Sequence, residues 1–156
     1  MDKIVVVAAS NSEGAGEIFL CPYTAMAIAE YFRDLGRDVL VVLDDMSVHA
    51  KFYRQLSLIS RKFPGRDSYP GDIFYTHARL LERAGNFKNE KTGKDVSITM
   101  LPVVDIVEGD FTGFIATNLM GMTDGHLLFK SDLSNQGQNP PIDIPFSVSR
   151  VGRQTQ

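Results

Sequence analysis

The sequence predicts an α/β layered domain with a largely parallel sheet. Two short apolar runs, Ile4–Ala9 (IVVVAA) and Val39–Leu43 (VLVVL), lack the alternation of a half-exposed strand. Val-rich runs of this kind read as strands covered on both faces, as in parallel sheets. Between and after them lie stretches whose apolar residues recur at helical spacing, and strand–helix–strand order builds such layers. The length, 156 residues, suits one domain at roughly 100–200 residues each, able to bury about 68–70% of its unfolded surface.

The elements follow in order. Ile4–Ala9 stops at the polar Ser10-Asn11-Ser12-Glu13-Gly14, and its β-branched residues favour strand over buried helix. Six apolar residues are also too few for a signal-peptide core. Pro22 opens a helical pattern to about Leu35. Ala25, Ile28, Ala29, Phe32 and Leu35 share one face, and Gly36 stands where a helix C-cap glycine belongs. Asp44-Asp45 closes the second apolar run, and Ser47 can cap a helix reaching Phe63 with Phe52, Leu56, Ile59 and Phe63 on one face. That stretch carries Lys51, Arg54, Arg61 and Lys62 without an acid, a solvated or partner-facing stripe.

Pro64-Gly65 breaks the helix, and Arg66 to Gly71 is a loop. Asp72 starts a helix through Leu80, Leu81 and Arg83 that ends near Gly85, and Lys88 to Asp95 is a polar connection. Val96 to Val107 is a further β run in which Pro102 predicts an edge or a bend. Thr123-Asp124-Gly125 is a turn, followed by a short strand, His126–Lys130. Ser131 to Asn139 is polar loop, Pro140-Pro141 bars helix, and Ile142 to Val151 is mostly extended.

Composition excludes several functions. Sixteen basic against 19 acidic residues give a formal charge of −3, unlike a general binder of nucleic acid or membrane surface. The single cysteine, Cys21, leaves no disulfide within the chain and suits a reducing compartment. No run approaches 18 consecutive apolar residues, the length a spanning helix needs.

Asp44 is the first candidate for chemistry. A buried strand ending in acid puts a carboxylate at the carboxyl edge of a parallel sheet, where open α/β folds bind ligands. There Asp44 can hold Mg²⁺ directly or through water, the Walker-B role, or simply begin the next turn. A phosphate cradle to match it is not found within the 156 residues. Thr92-Gly93-Lys94 resembles the end of a P-loop, but Lys88 and Asp95 occupy the positions that need Gly and Ser or Thr. A hairpin tip is the better reading. Glu13-Gly14-Ala15-Gly16 lacks the third glycine of a dinucleotide loop. His49, His77 and His126 show no metal-ligand spacing, and the first two are surface or helix-packing residues. Arg150 follows Ser147-Val148-Ser149 on an extended segment, able to present a guanidinium to phosphate bidentately or to serve as a surface cation.

Taken together, these segments resemble the alpha subunit of F-type ATP synthase. The stretches that carry the likeness are EYFRDLG (Glu30–Gly36), the DD…YRQ-x-S pattern (Asp44–Ser57), PGRDSYPGDIFY (Pro64–Tyr75), HARLLERAG (His77–Gly85), SITMLPVVD (Ser97–Asp105), TDGH (Thr123–His126) and SVSRVG (Ser147–Gly152). Pro140-Pro141-Ile142-Asp143 followed by Ser147 and Ser149 fits the short signature shared by alpha and beta subunits and their V-type relatives.

The resemblance implies a RecA-like, P-loop NTPase-type fold, here without its P-loop, in an alternating hexamer of alpha and beta subunits. Alpha binds Mg-ATP or ADP without turning it over, beside gamma and delta subunits in the full complex. It implies that Arg150 is the arginine lent in trans to the catalytic beta site, that Ser147 is the signature serine beside it, and that Asp44 is the Walker-B acid reaching Mg²⁺ through water. Pro140 then lies near the adenine. Asn139 stands where the family usually has Arg, and Gly121 where many alpha subunits have Ser. The family's β-barrel, P-loop segment and helical carboxy-terminal domain fall outside the matched span, so the chain reads as the interior of a nucleotide-binding domain, inactive by itself. The expected place is peripheral: the cytoplasmic side of a bacterial plasma membrane, or the matrix or stroma side in an organelle. The B subunit of V/A-type ATPases, which Pro140-Pro141-Ile142 favours locally, and an interaction module that has lost ATP handling are the alternatives.

Overall fold

In the computed structural model, residues 4–10, 12–107 and 110–152 are described. Helix α1 (Ala15–Asp34) begins seven residues before the predicted start at Pro22. Glu17 explains the early start, its carboxylate reaching back to the Gly14 N–H at 2.5 Å, which satisfies an otherwise orphaned donor of the first turn. Pro22 therefore lies inside the helix, and the buried stripe is Ile18, Met26 and Ala29. At the far end Gly36 takes φ +79° while its N–H and that of Arg37 bond to Arg33 and Phe32 carbonyls, the predicted glycine stop.

Strand β1 (Val39–Leu43) leads into α2 (Met46–Ile59), and α3 (Ile73–Leu81) follows the Pro64–Gly71 loop. A hairpin then joins a strand absent from the expected order, β2 (Gly85–Lys88), to β3 (Asp95–Pro102), which covers the first part of the β run expected over Val96 to Val107. Its tip contains Thr92-Gly93-Lys94, as expected of that decoy, with Gly93 at φ +66°. The sheet order is β1-β3-β2, with β1 parallel and β2 antiparallel to β3. This corrects the expectation of a mostly parallel sheet. The short hairpin between β2 and β3 can only close an antiparallel pair. Pro102 is the last residue of the central strand rather than a mark of an edge, placed where its missing N–H interrupts no bond of the ladder.

Ile4–Ala9 is no strand, because no described strand pairs with it. Its Val7 carbonyl instead meets the Cys21 thiol at 3.5 Å. The VLVVL run is covered on one face only. Val41, Leu43, Val96 and Ile98 are buried, whereas Leu40, Val42 and Leu101 remain about half exposed or more. α2 likewise differs from its predicted face. Its buried residues are Met46, Ser47, His49, Ala50 and Ser57, while Ile59 and Phe63 are exposed. Most of that stripe is small, and small side chains let two helices approach closely.

The chain divides into two compact units, Met1–Asp105 and Ile106–Gln156. The second contains α4 (Phe114–Met122), which the sequence reading did not predict, and β4 (Gly125–His126) paired antiparallel with β5 (Val148–Ser149). Between β4 and β5 lie a short helix, α5 (Ser131–Asn135), where polar loop was expected, and a bridge from Phe129 to Ile142.

Candidate functional site

Arg150 follows β5 directly, and the β4–β5 pair sets its position. Gly125 lies so close to the opposite strand that a Cβ there would sit 2.5 Å from the Val148 carbonyl oxygen, so the Thr-Asp-Gly turn requires its glycine. The Arg150 N–H donates to the Asp124 carbonyl at 2.7 Å. Its guanidinium Nη1 donates to the Gly121 carbonyl at 2.7 Å and more weakly to the Thr123 carbonyl at 3.4 Å. These carbonyls belong to the end of α4, where unpaired C=O groups and the negative pole of the helix favour a cation. No ion pair neutralises Arg150 among the described residues, and Nε and Nη2 make no hydrogen bond there. A guanidinium has five donors in a planar fork, so a bidentate edge is left for an anion.

Ser147 lies three residues earlier on the same segment, and its hydroxyl is committed in both directions. It donates to the Asp143 carbonyl at 2.6 Å and accepts from the Leu128 N–H at 3.0 Å. The Asp143 carboxylate accepts from Lys130 Nζ at 2.5 Å and from the Phe146 N–H at 3.1 Å. Lys130 Nζ also stands 4.6 Å from the centre of the Phe146 ring. The hydrogen bond from Lys130 holds the Asp143 carboxyl below its ordinary range. His126 Nε2 lies 2.9 Å from the Phe146 carbonyl; a carbonyl only accepts, so this nitrogen carries the proton. Pro140, in the same unit, is exposed after a cis Asn139–Pro140 bond, its carbonyl accepting from Ile142 N–H at 2.9 Å.

Asp44 belongs to the first unit. Because β1 and β3 run parallel, their carboxyl ends share one edge, and Asp44 stands there exposed. The helix cap predicted at Ser47 is made by Asp45, whose carboxylate accepts from the Val48 N–H at 2.6 Å. Ser47 turns inward instead and exchanges two hydrogen bonds with the Asp105 backbone, at 2.9 and 3.3 Å, fixing the end of β3 beside the start of α2. Among the described residues no group of three or more His, Cys, Asp or Glu side chains gathers to hold a metal ion. The carboxylate of Asp44 fits a single contact to an ion that other groups carry.

The structure thus keeps Ser147 and Arg150 together. The Gly121 and Thr123 carbonyls and the pairing of Lys130 with Asp143 escaped the sequence reading. Backbone acceptors have no residue signature, and Lys130 and Asp143 are too far apart in sequence to read as a pair.

The family model described as "ATP synthase alpha/beta family, nucleotide-binding domain" matches residues 1–149. The chain belongs to the ATP synthase alpha/beta family. Family relatives align along the whole length. The chain is 50% identical over 156 residues to ATP synthase subunit alpha 1 of Mycoplasmopsis pulmonis, covering 100% of this chain and 29% of that protein. It is 46% identical over 158 residues to ATP synthase subunit alpha of Carsonella ruddii, covering 97% and 33%. With ATP synthase subunit alpha of Clostridium botulinum strain Eklund 17B it shares 46% over 156 residues, covering 100% and 31%. The chain therefore spans about a third of the length of the curated relatives it matches.

Proposed function

We propose that this chain is the central part of the alpha subunit of a rotary, proton-translocating ATP synthase. In this reading alpha binds nucleotide without turning it over and lends Arg150 to the catalytic site of a neighbouring beta subunit. The observation that carries the reading is the 46–50% identity to ATP synthase alpha subunits along 97–100% of the chain. The Arg150 geometry supports the trans role. Nη1 is spent on the end of α4, so the guanidinium is aimed before any phosphate arrives, and its open edge can meet two phosphoryl oxygens. Charge held there offsets the negative charge that spreads over the transferring γ-phosphoryl, worth about 10³–10⁵ in rate.

At alpha's own site, Asp44 would meet Mg²⁺ through water, with the nucleotide phosphates supplying further ligands. Bound Mg²⁺ supplies charge neutralisation of the phosphates. Pro140 would pack near the adenine from its exposed turn. Beta is the partner across the hexamer interface, with gamma and delta completing the soluble part of the machine. The subunit lies at the membrane periphery, and among the described residues no helix is long and apolar enough to cross a membrane.

In the full-length subunit assembled with beta, Arg150→Ala is expected to cut ATP turnover by roughly 10³ or more. Nucleotide affinity at alpha's own site stays nearly unchanged. Turnover equal to wild type would end the trans assignment. The 156-residue chain by itself is expected to hydrolyse no ATP, since it contains no G-x-x-x-x-G-K-[ST] cradle. Calorimetry finding micromolar ATP binding by these residues would contradict that.

A further inference from the structure

We propose that Lys130, Asp143 and Ser147 are positioning residues for Arg150, forming a clamp that seats its guanidinium on the carbonyls at the end of α4. The inference rests on the trans role of Arg150 proposed above and goes beyond it to what aims the side chain.

The segment 143–150 is tied to 124–130 along its length. Asp143 N–H donates to the Leu128 carbonyl at 2.8 Å, and Leu128 N–H donates back to Ser147 Oγ at 3.0 Å. Ser147 also closes the turn on itself, with both its N–H and its hydroxyl on the Asp143 carbonyl. The carboxylate of Asp143 then gathers Lys130 from one segment and the Phe146 N–H from the other. Asp143 is 12% exposed at its side chain and Lys130 37%, so the pair is partly withdrawn from water. An ion pair with a short charge-assisted bond in such a place holds its geometry better than a fully exposed one. Only Val148 and Ser149 separate this turn from Arg150, and both are committed to the β4 ladder. A shift of the turn is therefore passed to Arg150 with little room for absorption. The seat is narrow: one bond of 2.7 Å to Gly121 and one of 3.4 Å to Thr123.

Both oxygens of the Asp143 carboxylate are engaged, and the Lys130 ammonium spends one of its three donors on them. The Ser147 hydroxyl has spent its only proton on Asp143, so a role through Arg150 replaces the direct one that the serine signature suggests. Displacing a catalytic group by about 1 Å can cost up to roughly 10²-fold in rate, so partial loosening is expected to cost less.

The test uses the full-length subunit assembled with beta, comparing Lys130→Met, Asp143→Asn and Ser147→Ala singly and on an Arg150→Ala background. The expected result is a fall in kcat of roughly 3- to 30-fold for each single variant. KM and assembly stay unaltered, Lys130→Arg restores activity, and no further loss appears once Arg150 is gone. Losses that add to that of Arg150→Ala, or no loss at all, overturn the clamp. A second measurement does not depend on turnover: the ¹⁵N signals of the Arg150 guanidinium, by NMR of arginine-labelled subunit. The restricted guanidinium of wild type is expected to become freely rotating in Ser147→Ala and Lys130→Met. Unchanged signals overturn the clamp even if activity falls. If Arg150→Ala leaves turnover intact while those signals change, the trans reading fails and the seating stands.

Discussion

At the scale of single residues, charged side chains that follow an apolar strand were legible as candidates, and the backbone atoms around them were not. Arg150 and Asp44 stood out because an apolar strand leading to a charged residue is visible in one dimension. The Gly121 carbonyl, the shorter contact of the Arg150 seat, is a backbone atom that any residue would supply. This separates the fate of the Gly121 side chain from that of its carbonyl. A Cβ at Gly121 meets nothing within 4 Å, and the residue lies in the last turn of α4. Gly121→Ser is therefore expected to raise stability by about 0.5 kcal/mol through helix propensity alone, read as a higher denaturant midpoint with unchanged m-value. Arg83 illustrates a different kind of residue. Its Nε and Nη2 grip both oxygens of Glu30 at 2.8 and 2.6 Å, linking α1 to the end of α3. Those bonds hold the Glu30 carboxyl below its ordinary range. Arg83→Lys keeps the charge and loses the fork, so a destabilisation of about 1 kcal/mol is expected in urea unfolding.

At the scale of elements, helices with local stop signals and strands with apolar runs were legible, whereas β2, defined by its partner, was not. The α1 terminus was readable because Gly36 acts within its own turn. Its start was not, since Glu17 caps from inside the helix while Pro22 looks like a beginning. β2 falls between the expected helix end near Gly85 and the polar connection that starts at Lys88, and only pairing with β3 makes it a strand. Asn89 is what joins this hairpin to the rest. Its side-chain carbonyl accepts the N–H groups of Lys91 and Thr92 at 3.0 Å each, and its amide donates to the Asp34 carbonyl at 3.2 Å. One buried side chain thus shapes the hairpin tip and caps the last carbonyls of α1. Asn89→Ala strips a partner from four backbone groups, the Lys91 and Thr92 N–H and the Arg33 and Asp34 carbonyls, and a loss of about 2 kcal/mol is expected in chemical denaturation. Retained stability would mean that water serves these groups as well as Asn89 does.

At the scale of the whole molecule, the layered α/β character was legible, but what covers each surface was not. Val39–Leu43 has the composition of a strand with both faces covered, and within this chain one face remains open. The interior of the first unit also contains what a periodicity argument places last: two histidines. His49 and His77 are 3% and 0% exposed, with His49 Nδ1 3.3 Å from His77 Nε2. His49 stacks on Phe19 at 5.0 Å. Among the described residues, the outer nitrogens, His49 Nε2 and His77 Nδ1, have no hydrogen-bond partner. Such a pair is tolerable only while both rings are neutral, one donating and one accepting, because a proton on either leaves a cation in an apolar cluster. Burial accordingly pushes both rings down to about 4, against about 6.5 in the unfolded chain. Below pH 6.5 the unfolded chain therefore binds protons that the folded chain refuses, and stability falls with falling pH. The loss begins near pH 6.5, accumulates as pH drops to about 4, and levels off below it, where the folded rings also titrate. The expected magnitude is on the order of 3 kcal/mol for each ring that remains neutral in the fold. Thermal unfolding of the chain between pH 7 and pH 4 should show that decline. The apolar double variant His49→Phe/His77→Leu should show a flatter profile over the same window, whatever its stability at pH 7. A variant whose profile parallels wild type would assign the acid sensitivity to carboxylates instead, and the histidine pair would then be a packing contact without titration linked to folding.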